Sequence, residues 1–152
     1  MYGARQVGKS TLAQNFAKST GLKIFNVNFW KDTQNIFPSI FTKNASAKDI
    51  IEKLEVYFNT TIDPNNSILI LDEIQELPAV YSLFKTFKED TALPVIATGS
   101  YLKLFLSTNL DVELPIGCTC EYLLTPMTFS DFLYNANQKL HAVYQSAKLN
   151  QA

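Results

Sequence analysis

The 152 residues, 47% hydrophobic and 18% charged, suit one globular domain with a core it can bury, and they exclude a disordered chain. A net charge of −1 leaves no clear footprint for nucleic acid. No apolar run approaches the ~18 residues of a bilayer span and no signal peptide is legible, so no membrane is expected and the cytoplasm is the expected setting.

The chain opens on Gly3-Ala4-Arg5-Gln6-Val7-Gly8-Lys9-Ser10, a complete G-x-x-x-x-G-K-[ST] phosphate-binding loop. Only Met1 and Tyr2 precede it, too few for the strand that delivers a chain into such a loop, so the first strand is expected to be missing. Ser10 to Lys18 reads as a helix, with Leu12, Ala13, Phe16 and Ala17 on one face and Gly21 as its stop. Lys23 to Phe29 alternates apolar and polar residues as a strand does. A long connection follows from Lys31 to Ala45, broken by Pro38. Ser46 then caps a helix carrying Ile50, Ile51, Leu54 and Phe58.

Asp63-Pro64-Asn65-Asn66 is a turn. Ser67 to Leu71 is an unbroken apolar run, the pattern of a parallel strand covered on both faces. A helix is predicted from about Pro78, with Ala79, Val80, Leu83, Phe84 and Phe87 at helical spacing. Pro94 to Ser100 is a second short buried strand, Tyr101 to Leu106 a short helix, and Glu121 to Leu124 a further strand. From Thr128 the residues Phe129, Phe132, Leu133, Ala136, Leu140, Val143, Tyr144 and Ala147 keep a helical period to near the end. Strands alternating with helices predict an α/β fold with a parallel sheet in three layers, one domain over 1–152.

The loop carries its own chemistry. Gly3 and Gly8 permit backbone conformations and a close approach that a Cβ would block. The N–H groups of residues 3–8 then cup phosphates, helped by the helix N-terminus near Lys9. Lys9 is expected on the β- and γ-phosphates, the Ser10 hydroxyl on Mg²⁺, and Thr11 beside the α-phosphate. The strand ending in Asp72-Glu73 puts two acids at its carboxyl end, where α/β proteins hold ligands. Asp72 is expected to hold Mg²⁺ and Glu73 to polarise an attacking water. Thr98-Gly99-Ser100 ends the next strand, so Thr98 or Ser100 is the candidate to hydrogen-bond the γ-phosphate or that water.

Other residues point nowhere as sharply. Cys118 and Cys120, with the lone His141, cannot assemble a four-ligand zinc site and read as ordinary thiols. His141 reads as a surface or packing residue. Of 13 basic residues, Arg5 is the one arginine.

Four segments occur in order: Gly-Ala-Arg-Gln-Val-Gly-Lys-Ser-Thr at 3–11, Leu-Asp-Glu-Ile-Gln-Glu-Leu-Pro at 71–78, Ala-Thr-Gly-Ser at 97–100 and Tyr-Leu-Leu-Thr-Pro-Met-Thr-Phe-Ser-Asp-Phe-Leu at 122–133. Together they resemble the AAA+ type ATP-binding proteins of bacteria and archaea that carry a C-terminal domain of unknown function. The resemblance implies a P-loop NTPase core with strand order 5-1-4-3-2 and ATP as nucleotide. It places Lys9 and Ser10 on phosphate and Mg²⁺, makes Asp72 and Glu73 the Walker B acids, and puts Thr98-Gly99-Ser100 at the sensor position.

The chain departs from that family in three ways. It lacks the strand before the loop, it stops at Ala152 without a helical lid or the extra domain, and it has Cys118 where a basic residue is usual. The expectation is a truncated core that binds Mg-ATP and hydrolyses it weakly or not at all. A protein partner or the missing C-terminal domain is its expected contact. A P-loop kinase or phosphotransferase, and a non-enzymatic fragment or partner-dependent remnant, stand as alternatives. No Asn-Lys-x-Asp guanine motif favours a GTPase.

Overall fold

The computed structural model describes residues 1–100 and 117–149. Helix α1 (Lys9–Ser19) buries Ala13 and Ala17 against Ile68 and Ile70, small residues one turn apart that let the helix lie close to the sheet. Leu12 and Phe16, expected on the same buried face, stay 46% and 56% exposed, because the alanines take the contact alone. Strand β2 (Lys23–Asn28) alternates as predicted, with Phe25 and Val27 buried. It ends one residue early: the Asn28 side chain accepts from the Lys31 N–H at 3.1 Å and starts a 3-10 turn, Phe29–Lys31.

Pro38 does not break the next connection. It sits in the first turn of the short helix α2 (Phe37–Ile40), where its missing N–H costs nothing. Helix α3 (Ala47–Phe58) starts in a complete capping box between Ser46 and Asp49 and buries Ala47, Ile50 and Leu54. Strand β3 (Ser67–Asp72) is buried at all six positions. Leu69 and Leu71 join the larger core with Ile40, Ile50, Leu54 and Leu83, while Ile68 and Ile70 form the smaller one under α1. That division makes three layers: α1, the sheet, then α2, α3 and α4 (Val80–Asp90).

Strands β4 (Val95–Ala97) and β5 (Gly99–Ser100) read as one run in sequence; the structure breaks it at Thr98. Below the break β4 pairs with β3, and above it β5 pairs with β1. Among the described residues the strand pairings are parallel, in two sheets ordered β2-β3-β4 and β5-β1-β6. With β4 and β5 as halves of one strand, the order is the expected 5-1-4-3-2.

The expectation of a missing first strand is corrected. Tyr2–Gly3 forms β1, central between β5 and β6 (Leu123–Leu124). Two residues suffice because both neighbours hold them: the Tyr2 N–H donates to the Tyr122 carbonyl at 2.9 Å and the Gly99 N–H to the Met1 carbonyl at 3.2 Å.

The C-terminal helix predicted as one piece is two, α5 (Phe129–Ala136) and α6 (Gln138–Leu149). Asn137 divides them: its backbone is extended, and its side-chain oxygen accepts from the Leu140 N–H at 3.0 Å, an N-cap that competes with helix continuation. Leu133 is the buried member of the predicted apolar face, whereas Phe129, Phe132, Leu140 and Val143 are exposed. His141 packs between these helices, its Nε2 3.1 Å from Ser130 Oγ. The predicted helix at Tyr101 to Leu106 lies outside the described residues. Among those described, no helix is long and apolar enough to cross a membrane.

Candidate active site

The carboxyl ends of β1, β3 and β4 and the N-terminus of α1 meet at one place. Gly3 ends β1, and the chain turns through Ala4 to Gly8 into α1. Gln6 (φ 62°) and Gly8 (φ 92°) are both left-handed, conformations that recur in anion-binding backbone turns. A Cβ at Gly8 would meet nothing within 4 Å, so backbone conformation alone calls for glycine there. At Gly3 (φ 153°) space adds to conformation: a Cβ would lie 2.0 Å from the Leu124 carbonyl oxygen. The first glycine of the loop is thus required by β6 beside it. Arg5, Gln6 and Thr11 are exposed, and Ala4 and Val7 partly buried.

Lys9 is buried, only 5% exposed. Its ammonium donates to the Ala4 carbonyl at 2.7 Å, the Gly3 carbonyl at 3.3 Å and Ser100 Oγ at 3.1 Å, which uses all three of its donors. Ser10 Oγ donates to Asp72 Oδ1 at 2.8 Å. Asp72, itself 5% exposed, also accepts from Asn28 Nδ2 at 2.8 Å and from the Thr98 hydroxyl. Three donors on one carboxylate are what allow an acid to sit buried at the end of a strand without a basic partner.

With this geometry the comparison with known families is decisive, since a family described as AAA domain matches residues 1–133. The chain belongs to the AAA domain family. No curated protein matches it. AAA domains are nucleotide-binding, ATPase-type modules, and ATP with Mg²⁺ is their usual pairing.

The donor set of this AAA domain fits that ion. Ser10 Oγ and Asp72 Oδ1 lie 2.8 Å apart and are hard oxygens of the kind Mg²⁺ takes, with few protein ligands and the remainder from phosphate and water. Among the described residues no group of three or more His, Cys, Asp or Glu could hold a metal by itself. Neither Cys118 nor Cys120 forms a disulfide among the described residues.

Thr98 and Ser100, alternatives in the sequence, take separate places in the structure of this AAA domain. Thr98 is fully buried and bonds Asp72, while Ser100 bonds Lys9. Glu73 does not join that cluster. It leaves β3 in a left-handed conformation, φ 59° and ψ 47°, and its carboxylate accepts from Gln75 Nε2 at 2.6 Å.

Asn28 and Gln75 escape sequence reasoning. Asn28 reaches Asp72 because β2 and β3 pair in register, Asn28 beside Asp72. The available signal is a polar residue closing an apolar strand, as Asp72 does. Gln75 gives no such signal, since it sits in a 3-10 turn (Ile74–Glu76) that has no period to read.

Among the described residues a cavity of about 1230 Å³ lies elsewhere in this AAA domain. Leu12, Phe16, Phe84 and Phe87 help line it, and Lys9, Ser10, Asp72 and Glu73 do not. What marks the chemistry is the convergence of strand ends on a helix N-terminus.

Proposed function

We propose that this AAA domain binds ATP with Mg²⁺ at the loop and hydrolyses it slowly to ADP and phosphate. The observation that carries the reading is two hydrogen-bonded groups side by side, Lys9 with Ser100 and Asp72 with Ser10, Thr98 and Asn28, at the carboxyl ends of parallel strands.

The backbone N–H groups of Gly3, Ala4, Arg5, Gln6, Val7 and Gly8 cup the phosphates, with the α1 N-terminus adding its partial positive charge. Lys9 exchanges the Ala4 and Gly3 carbonyls for β- and γ-phosphate oxygens. Thr11 stands beside the α-phosphate. Ser10 and Asp72 would hold Mg²⁺, which would supply neutralisation of phosphate charge. Asn28 and Thr98 hold the Asp72 carboxyl in orientation through their hydrogen bonds. Glu73 orients the attacking water and takes its proton as the new O–P bond forms and the bond to ADP breaks. Ser100 senses the γ-phosphate through the lysine they share.

Slow turnover follows from the arginine count. An arginine finger is worth ~10³–10⁵ in rate, and within 1–152 the one arginine is Arg5, exposed on the loop itself. Steady-state phosphate release from the purified chain should stay far below the roughly 1–10³ s⁻¹ of ordinary enzymes and drop to background in Glu73→Gln. Turnover inside that range, or a Glu73→Gln variant as active as the parent, contradicts the assignment.

A further inference from the structure

Glu73 is the one acid of the site that no strand holds in place, and a single side chain holds it instead. We propose that Gln75 is a positioning residue of the hydrolytic site, fixing the Glu73 carboxylate by tying it to the strand that carries Ser100. The inference rests on the hydrolytic role given to Glu73 above.

Glu73 stands in a left-handed conformation that few non-glycine residues hold, so its side chain leaves β3 in a direction the strand does not set. Gln75 Nε2 donates to Glu73 Oε2 at 2.6 Å, and Gln75 Oε1 accepts from the Ser100 N–H at 3.1 Å. A second contact of Nε2, with Glu76 Oε1, is longer at 3.4 Å. The amide cannot be reversed, because its oxygen would then face a carboxylate and its NH₂ group an N–H donor. The turn beneath it is anchored as well: the Ile74 N–H donates to the Thr98 carbonyl at 3.0 Å.

Ser100 Oγ accepts from Lys9 Nζ at 3.1 Å. A line of hydrogen bonds therefore runs from the acid to the phosphate-binding lysine, Glu73–Gln75–Ser100–Lys9. Its middle member must donate at one end and accept at the other, which a neutral amide does and a carboxylate does not.

This requirement separates positioning from mere packing. Gln75→Glu keeps the size and the acceptor for Ser100 but sets a negative charge against Glu73. Gln75→Ala removes both bonds. Were Gln75 only a filler or an acceptor for Ser100, the Glu variant would be the milder of the two; as a positioning residue it is the worse.

The test uses the full chain as wild type, Gln75→Ala and Gln75→Glu. It measures affinity for a fluorescent ATP analogue, the single-turnover hydrolysis rate, and the carboxyl ¹³C signal of Glu73, assigned by its loss in Glu73→Gln. Affinity should hold in both variants while hydrolysis slows by on the order of 10²-fold in Gln75→Ala and further in Gln75→Glu. The Glu73 signal should move in both. Wild-type hydrolysis by Gln75→Glu, or an unmoved Glu73 signal in Gln75→Ala, overturns the proposal. Absence of Lys9-dependent nucleotide binding would instead defeat the functional reading, and the carboxyl signal would still decide the role of Gln75.

Discussion

At the residue scale, the site is built from polar groups that satisfy one another in a buried setting, so single substitutions should register strongly. Thr98→Val keeps the shape of a fully buried side chain but takes one donor from Asp72. It should cost about 1–3 kcal/mol of stability and weaken Mg-dependent nucleotide binding. Urea denaturation read beside nucleotide titration checks both, and a variant equal to the parent in each contradicts the account. Gly3→Ala drives a Cβ to 2.0 Å from the Leu124 carbonyl oxygen and should destabilise by at least about 1–3 kcal/mol. Gly8→Ala meets no such obstacle, so its cost is the left-handed backbone alone, about 1–2 kcal/mol. Of the two glycines of one motif, both with positive φ, Gly3 alone adds a steric clash.

At the element scale, two helices begin in capping boxes, Ser46 with Asp49 and Thr128 with Asp131. Hydrogen bonds from Ser46 and Thr128 hold both carboxyls below their ordinary value of 3.8. A depressed folded-state value means the caps contribute fully above about pH 3.8 and lose that contribution as pH falls through the lower, folded value. Stability measured from pH 6 down to pH 2 should therefore decline through this window, and Asp49→Asn should flatten part of the decline. An unchanged pH profile in that variant contradicts the assignment.

These same elements show what the sequence could and could not disclose. Helix α3 is legible because Ser46 and the spacing of Ile50 and Leu54 agree, and β3 because six consecutive buried positions leave a continuous apolar run. The break at Asn137 is not legible, since the apolar period continues through it and a single side-chain hydrogen bond decides. Nor is β1, because two residues have no period and only the strands on either side define them. In the site, Lys9, Ser10 and Asp72 are legible as a loop motif and a strand-end acid. Asn28 depends on strand register and Gln75 on a tertiary contact with Ser100, and neither is written in local spacing.

For the whole molecule, the two sheets differ in strength. β2-β3-β4 has six paired positions between β2 and β3 and cores on both faces. β5-β1-β6 is held by two-residue strands. Backbone amides of Leu69, Ile70 and Leu71 should exchange with solvent slowest, and those of Tyr2 and Leu124 far faster. Equal protection in the two sheets contradicts that division. Leu71→Ala, at a residue with 0% exposure, should cost about 2–5 kcal/mol.

The central claim is that the loop, assembled on a two-residue strand, is a working phosphate site. Titration of the purified chain with a fluorescent ATP analogue, with and without Mg²⁺ and beside Lys9→Ala, tests it most directly. The account predicts saturable, Mg²⁺-enhanced binding in the parent chain and its loss in Lys9→Ala. Binding that survives Lys9→Ala, or a folded parent chain that binds no nucleotide, would contradict it.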